Sequence, residues 1–175
     1  MSDPTSRAAD VSPIVEPAVF RHVLGHLPTG VTVITGWTAA GPSGMAANSL
    51  SSVSLHPPLV LFCPGKSSET WPELRDARRF CVNVLAHHHE SLSRQFAAKG
   101  SDRFAGIGYR HAPAGPALDG AVAWLECVLE QEHDAGDHTI AVAKVTALEA
   151  RSDAQPLVFF RGEYGSFAAA EDCAT

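Results

Sequence analysis

Apolar residues first recur at helical spacing in "PAVFRHVLGHLPTG", where Phe20, Val23, Leu24 and Leu27 share one face and Pro28 to Gly30 end the run. The period then shortens. "VTVITGW" is β-branched and predicts a strand, "TAAGPSG" a hairpin turn, and "MAANSLSSVSL" the returning strand. His56, Pro57 and Pro58 interrupt that ladder before "LVLFCP", a short buried strand. "SSETWPELRDAR" predicts a helix capped by Ser67 or Ser68, with Pro72 confined to its first turn. "RFCVNVLA" follows as a strand, "HHESLSRQFAA" as an amphipathic helix, and 99–116 as a loop of charges and glycines. Beyond it Ala123, Leu125, Cys127 and Leu129 alternate with Trp124, Glu126, Val128 and Glu130, a half-buried strand that turns at Ala135-Gly136-Asp137 into "HTIAVAKVTALEAR". "PLVFFRGEYGSF" completes the β content. About seven mainly antiparallel strands with two or three short helices predict a mainly β, barrel-like sheet with helices over its open ends.

Residues 1–16 are rich in Ser, Pro, Ala and Asp without periodicity and are expected to form a disordered tail, leaving 17–170 as one domain. The whole chain has 175 residues, 45% hydrophobic and 18% charged, enough for a single core. A net charge of −6 argues against general affinity for nucleic acid or anionic membranes, though a local basic pocket is compatible with it. The opening residues lead us to expect no secretory leader, no apolar run reaches membrane-spanning length, and the four cysteines are widely spaced without a CxxC pair. The expectation is a cytoplasmic protein with reduced thiols.

Acid–base chemistry is sparse. The "HHH" at 87–89 resembles a metal tract, but adjacent ligands on one strand end rarely converge without distant carboxylates or thiols, so no metal is expected and the three rings read as a solvated cluster at a strand–helix junction. Cys63, beside Pro64, has no neighbouring base and reads as a buried structural thiol. No hydrolase, zinc-protease, Walker or Rossmann signature is present. Hydroxyls and small side chains are concentrated instead around "GMAANSLSSVSLHPPLVLFCPGKSSET". Gly44, Ala46 and Ala47 would let a flat ligand approach the backbone. Lys66, with Ser67, Ser68 and Thr70 at a helix start, suits either a phosphate or ordinary capping. Lys99 and Arg103 in "FAAKGSDRFAGI" form a second place for a phosphate or ribityl chain, and His138 after the "AGD" turn is able to orient a carboxamide or carbonyl.

The ordered set "LPTGVTVIT", "GMAANSLSSVSLHPPLVLFCPGKSSETW", "RFCVNVLA", "FAAKGSDRFAGI", "AGDHTIAVAKV" and "PLVFFRGEYGSF" resembles the short-chain flavin reductase family across about residues 17–168. These are the reductase components of two-component flavin-dependent monooxygenases. The resemblance implies a split β-barrel, usually a homodimer, that reduces FMN or FAD with NADH or NADPH and releases the reduced flavin to a separate oxygenase. It implies that Gly44, Met45, Ala46, Ala47, Asn48 and Ser49, with Ser51 and Ser52, line the isoalloxazine and ribityl portions. Cys63, Pro64, Gly65, Lys66, Ser67 and Ser68 match the phosphate-side loop, and Ala97, Ala98 and Lys99 the second flavin loop. His138, with Asp137 beside it, matches the position near the nicotinamide. No side chain is expected to act covalently, because the two borrowed ring systems carry the chemistry. Leu50 and Asn48 depart from common family choices and leave FMN against FAD open, as the sequence leaves NADH against NADPH. A flavin-binding or flavin-delivery domain without turnover is the alternative.

Overall fold

Val33 and Ile34 are neighbours on one strand, so their side chains leave opposite faces, and both are fully buried. The sheet that contains them is therefore covered on both sides. The computed structural model describes residues 15–100 and 102–168; the expected tail falls almost wholly outside them. Along the chain lie α1 (Pro17–Leu24), β1 (Thr29–Gly30), β2 (Thr32–Thr38), β3 (Gly41–Ala47), β4 (Ser51–Leu55) and β5 (Pro58–Phe62). Then come α2 (Thr70–Ala77), β6 (Arg79–Val84), α3 (Glu90–Ala97), β7 (Tyr109–Arg110), β8 (Ala117–Leu118) and β9 (Ala123–Ala135). β10 (His138–Ala150), β11 (Leu157–Phe160) and β12 (Glu163–Ser166) end the described path.

Seven antiparallel strands form the main sheet in the order β3-β2-β6-β9-β10-β5-β4. Its concave face gathers Ile34, Val60, Phe62, Phe80, Val82, Cys127, Leu129, Ala141 and Ala143 into one cluster. Side chains from five strands meet in a single core only if the sheet is strongly curled. Bulges where β10 meets β9, and where β4 meets β5, supply local bending. The curl stops short of closure: β3 and β4 are the two free ends of the sheet. This is a split β-barrel. Trp71 and Leu74 on the buried stripe of α2 close the cluster, and Pro72 lies inside the first turn, where its missing N–H costs nothing.

On the convex side Val31, Val33, Leu85 and Leu157 pack with Leu92 and Phe96 of α3 and with Leu118. The segment expected to be a plain loop at 99–116 carries β7, which pairs with β8 just beyond it. The reason is buried and polar. Asn83, fully enclosed on β6, donates to Val33 O and Pro116 O and accepts the Leu118 N–H at 2.7 Å, pinning this stretch to the barrel. A three-stranded sheet, β1-β11-β12, stands beside the barrel. Among the described residues no helix is long and apolar enough to cross a membrane.

One predicted strand is two. The run "MAANSLSSVSL" breaks at residues 48–50, and its halves become β3 and β4 at opposite edges of the sheet. The histidine tract also differs from expectation. His89 is buried, its Nδ1 accepts the Ala86 N–H at 3.3 Å, and burial followed by the charges of His88 and His87 lowers its pKa to about 4. Gly120 makes room for it, since a Cβ there would lie 3.1 Å from His89 Nε2.

Candidate functional site

Tight backbone geometry builds one rim of the split. Gly136, at φ +64°, and Asp137 form the two-residue turn between β9 and β10. This turn is tied to the loop that follows β5. The Lys66 N–H donates to Asp137 O at 2.9 Å, the Thr139 N–H donates to Pro64 O at 3.0 Å, and Gly65 pairs with His138 across an isolated bridge. A Cβ on Gly65 would stand 3.7 Å from His138 Nε2, so the imidazole lies over the glycine. Its other nitrogen, Nδ1, is 2.7 Å from Asp137 Oδ1. That hydrogen bond, reinforced by the His138 charge, holds the Asp137 carboxyl below its ordinary pKa. The Asp137 carboxylate anchors the ring through Nδ1 and leaves Nε2 facing Gly65.

The connection across the split joins the same rim. Ser49 Oγ accepts the Cys63 N–H at 2.9 Å, and Ser68 Oγ lies 3.9 Å from Met45 Sδ. Ser68 also accepts the Trp71 N–H at 3.1 Å, so that one of the two serines expected as cap satisfies a first-turn amide from the position before the N-cap, which is Glu69. Thr32 Oγ donates to Ala47 O at 2.7 Å and holds the end of β3. Met45, Ser49, Cys63, Gly65, Ser68, Asp137 and His138, from three separated stretches of chain, are thereby brought into one neighbourhood. Ser51 and Ser52 continue from it along exposed β4, and the Ser67 amide has no partner among the described residues.

Other expected residues have different duties. Gly44 is small because Phe96 fills its place: a Cβ would lie 2.8 Å from Phe96 Cε1 and 3.0 Å from Ile34 O. Arg103, expected to serve a phosphate or ribityl chain, straps three elements together by donating to Ala98 O, Gly44 O and the Thr70 hydroxyl. Lys66 pairs with Asp134 at 3.0 Å, both ends largely exposed. Ala97, Ala98 and Lys99 are exposed at the end of α3 and are linked to the β3 segment through Arg103. Cys63 is half-buried rather than buried and contributes its backbone, while burial pushes the Cys81 and Cys127 thiols up to about 12, far from nucleophilic at neutral pH.

Sequence reasoning did not single out the aromatic side of this region. Phe159 and Tyr164 meet at 5.1 Å and, with Val31 and Ser93, line a hollow of about 120 Å³ whose remaining wall is Ala46, Ala47 and Asn48. The Tyr164 hydroxyl is 3.0 Å from Ser93 Oγ, and the Arg94 guanidinium covers its ring at 4.9 Å. The quoted "PLVFFRGEYGSF" contains both aromatics, but nothing local marks them as neighbours of residues more than 100 positions earlier. Alanines and aromatics on one side, with hydroxyls, the Ser67 amide and a histidine on the other, fit a flat ring system bearing a polar tail.

Residues 24–168 match the family described as "Flavin reductase like domain". A flavin reductase of Pseudomonas putida is 45% identical over 157 residues, covering 89% of this chain and 92% of its own length. The reductase subunit HsaB of a flavin-dependent monooxygenase from Rhodococcus jostii is 42% identical, covering 94% and 85%. The solved structure of the NADH:FAD oxidoreductase SgcE6 of Streptomyces globisporus, in complex with NAD and FAD fragments, superposes with a TM-score of 0.85 at 36% identity, covering 92% of this chain and all of that one. With the barrel, the rim and these likenesses in agreement, the chain belongs to the flavin reductase family.

Proposed function

We propose that this protein reduces FMN or FAD with NADH or NADPH and supplies the reduced flavin to a separate flavin-dependent oxygenase. The observation that carries the reading is the meeting of residues 45–49, 63–68 and 137–138 at one rim of the split barrel. The relatives' names, a flavin reductase, a monooxygenase reductase subunit and an NADH:FAD oxidoreductase, support the same chemistry. When bound together, flavin and nicotinamide supply the hydride acceptor and the hydride donor. The chain's work is then to hold two rings face to face, which needs orientation more than proton relays and accounts for the scarcity of acid–base groups.

In this assignment Ala46, Ala47 and Asn48 lie along the flavin ring, and Ser49, Ser51 and Ser52 serve its ribityl chain. The 63–68 loop, with Ser67 and Ser68, takes the phosphate; Ala97, Ala98 and Lys99 border the same ligand. His138, held by Asp137, presents Nε2 to the nicotinamide carboxamide, whose N–H it accepts. Contacts of this kind are individually small and suit a flavin that has to leave.

A homodimer accompanies the proposal. No residue of α1 is buried, and Val19, Phe20 and Val23 are all more than half exposed, as is Leu55 on the edge strand β4. A second copy covering such surfaces is the economical arrangement.

Mixing the purified protein with FMN and NADH and following absorbance at 340 nm tests the activity: steady loss of absorbance is expected, and a flavin-binding protein without turnover leaves it flat. His138→Ala is expected to raise KM for NADH about tenfold while changing flavin Kd less than threefold, roughly one lost hydrogen bond's worth. An unchanged KM removes His138 from the nicotinamide site.

A further inference from the structure

α1 ends in a pair of imidazoles. His22 and His26 are four residues apart, the spacing that sets two side chains one above the other on a helical surface. The helix proper stops at Leu24, but its winding continues. The Gly25 N–H donates to Arg21 O at 2.9 Å, and the His26 N–H donates to Val23 O at 3.0 Å. The two rings stay neighbours, with centroids 5.1 Å apart. Both line a cleft of about 770 Å³ between this end of α1 and the β11–β12 hairpin. Val19 and Val23, which a second copy is proposed to cover, are not part of its wall.

Hydrogen bonding orients the pair. His26 Nδ1 lies 2.9 Å from His22 O. A carbonyl oxygen has no proton to give, so Nδ1 is the donor and Nε2 of the neutral ring keeps its lone pair. An imidazole that donates one N–H to a backbone carbonyl and presents its other nitrogen is in the state a metal ligand adopts. The turn that carries it is held from outside α1. The Arg161 N–H donates to Gly25 O at 2.8 Å, and the His26 ring meets Phe160 edge-on at 6.3 Å. The tract at 87–89 is set up in the opposite sense. His89 Nδ1 accepts the Ala86 N–H, so the proton of that neutral ring occupies Nε2 and no lone pair is left to offer.

We propose that His22 and His26 together chelate a divalent transition metal ion of the nickel, copper or zinc class across the last turn of α1. Neutral imidazole is a donor these ions favour, and two histidines at i, i+4 are a recurrent way for a helix to supply it. No third His, Cys, Asp or Glu completes a metal-holding group among the described residues, so water fills the remaining positions and the ion exchanges readily. Arg21 and Arg161 share the cleft, and their charge keeps the affinity modest. The consequence is mechanical. No residue of α1 is buried, and a helix of eight residues is marginal without support. An ion that binds only the wound turn favours it over the frayed one by mass action.

The probe is Ni²⁺, titrated calorimetrically into the full chain freed of metal and of any affinity tag, and into His22→Gln, His26→Gln and His88→Gln. The parent is expected to take one ion per chain. Affinity is expected to fall at least about tenfold in either α1 variant and to stay within about twofold of the parent in His88→Gln. All three side chains are exposed, so far-ultraviolet circular dichroism without metal is expected to match the parent. With Cu²⁺, the electron paramagnetic resonance spectrum is expected to show two imidazole nitrogens in the parent and one in either α1 variant. Ni²⁺ is expected to raise the thermal midpoint of the parent and leave that of the chain lacking both histidines in place. A parent that takes up no Ni²⁺, equal affinities throughout, a loss confined to His88→Gln, or one ion shared between two chains overturns the proposal. None of these readouts passes through flavin or NADH, so their failure leaves the proposed reaction standing.

Discussion

β3 and β4 come from one run of small and hydroxyl residues and are three residues apart, yet they meet opposite fates. Both are edges. β3 is clothed by the chain itself: α2 and α3 both lie against it, and Phe96 occupies the space a side chain at Gly44 would need. β4 has four of its five residues exposed, Leu55 at 78%. An unpaired sheet edge has to be covered, charged or kept short. The difference teaches that the split is asymmetric. One lip is a rigid part of the core and the other is a short, open strand.

The sharpest way to break this comparison is at Gly44. Gly44→Val is expected to cost about 3 kcal/mol, because neither Phe96 in the core nor the Ile34 carbonyl can yield freely. Ser52→Val on β4 should cost under about 0.5 kcal/mol. Urea denaturation midpoints compare the two, and equal losses would abolish the asymmetry.

Next in size is acid. His89 begins the turn into α3, the helix that clothes β3, and its folded pKa of about 4 lies below the ordinary value of 6.5. Between those values the unfolded chain takes up a proton that the folded chain refuses, so stability falls as pH drops from 6.5 towards 4 and is unaffected above. The loss is expected to be about 2 kcal/mol, and His89→Gln should flatten that part of the stability–pH profile. A profile unchanged by the substitution would detach His89 from the effect. Arg103→Gln follows, with about 1 kcal/mol expected from loss of the strap linking Gly44, Thr70 and Ala98; unaltered denaturant midpoints would reduce the strap to decoration. The smallest effect on the fold is expected from Leu55→Lys, whose readout is association: far-ultraviolet circular dichroism stays as it was while sedimentation shifts toward the single chain if a second copy covers β4.

Much of this asymmetry is beyond what a reader of the chain sees. The long β9–β10 hairpin is legible because alternation and the Ala135-Gly136-Asp137 turn are both local signals, and β2 because its residues are β-branched. The break at 48–50 is not, since no glycine or proline marks it and both halves are equally small and polar. Gly44, Lys66 and Arg103 were legible as unusual residues but not by purpose: Phe96, Asp134 and the Ala98 and Gly44 carbonyls claim them, and those partners are set by tertiary packing. His138 was legible as a residue set after a tight turn, and its nicotinamide role was implied by the resemblance, whereas Phe159 and Tyr164 reach the site only because β11 pairs with β1.

Trp71 has a consequence for whoever handles this protein. Its ring is enclosed in the core, its indole N–H donates to Glu132 at 3.0 Å, and its backbone N–H hangs from Ser68. Indoles emit at wavelengths that flavins absorb. The molecule thus carries an optical gauge a few bonds from its proposed phosphate loop, and the arrival of a yellow ligand should dim that emission with no dye attached.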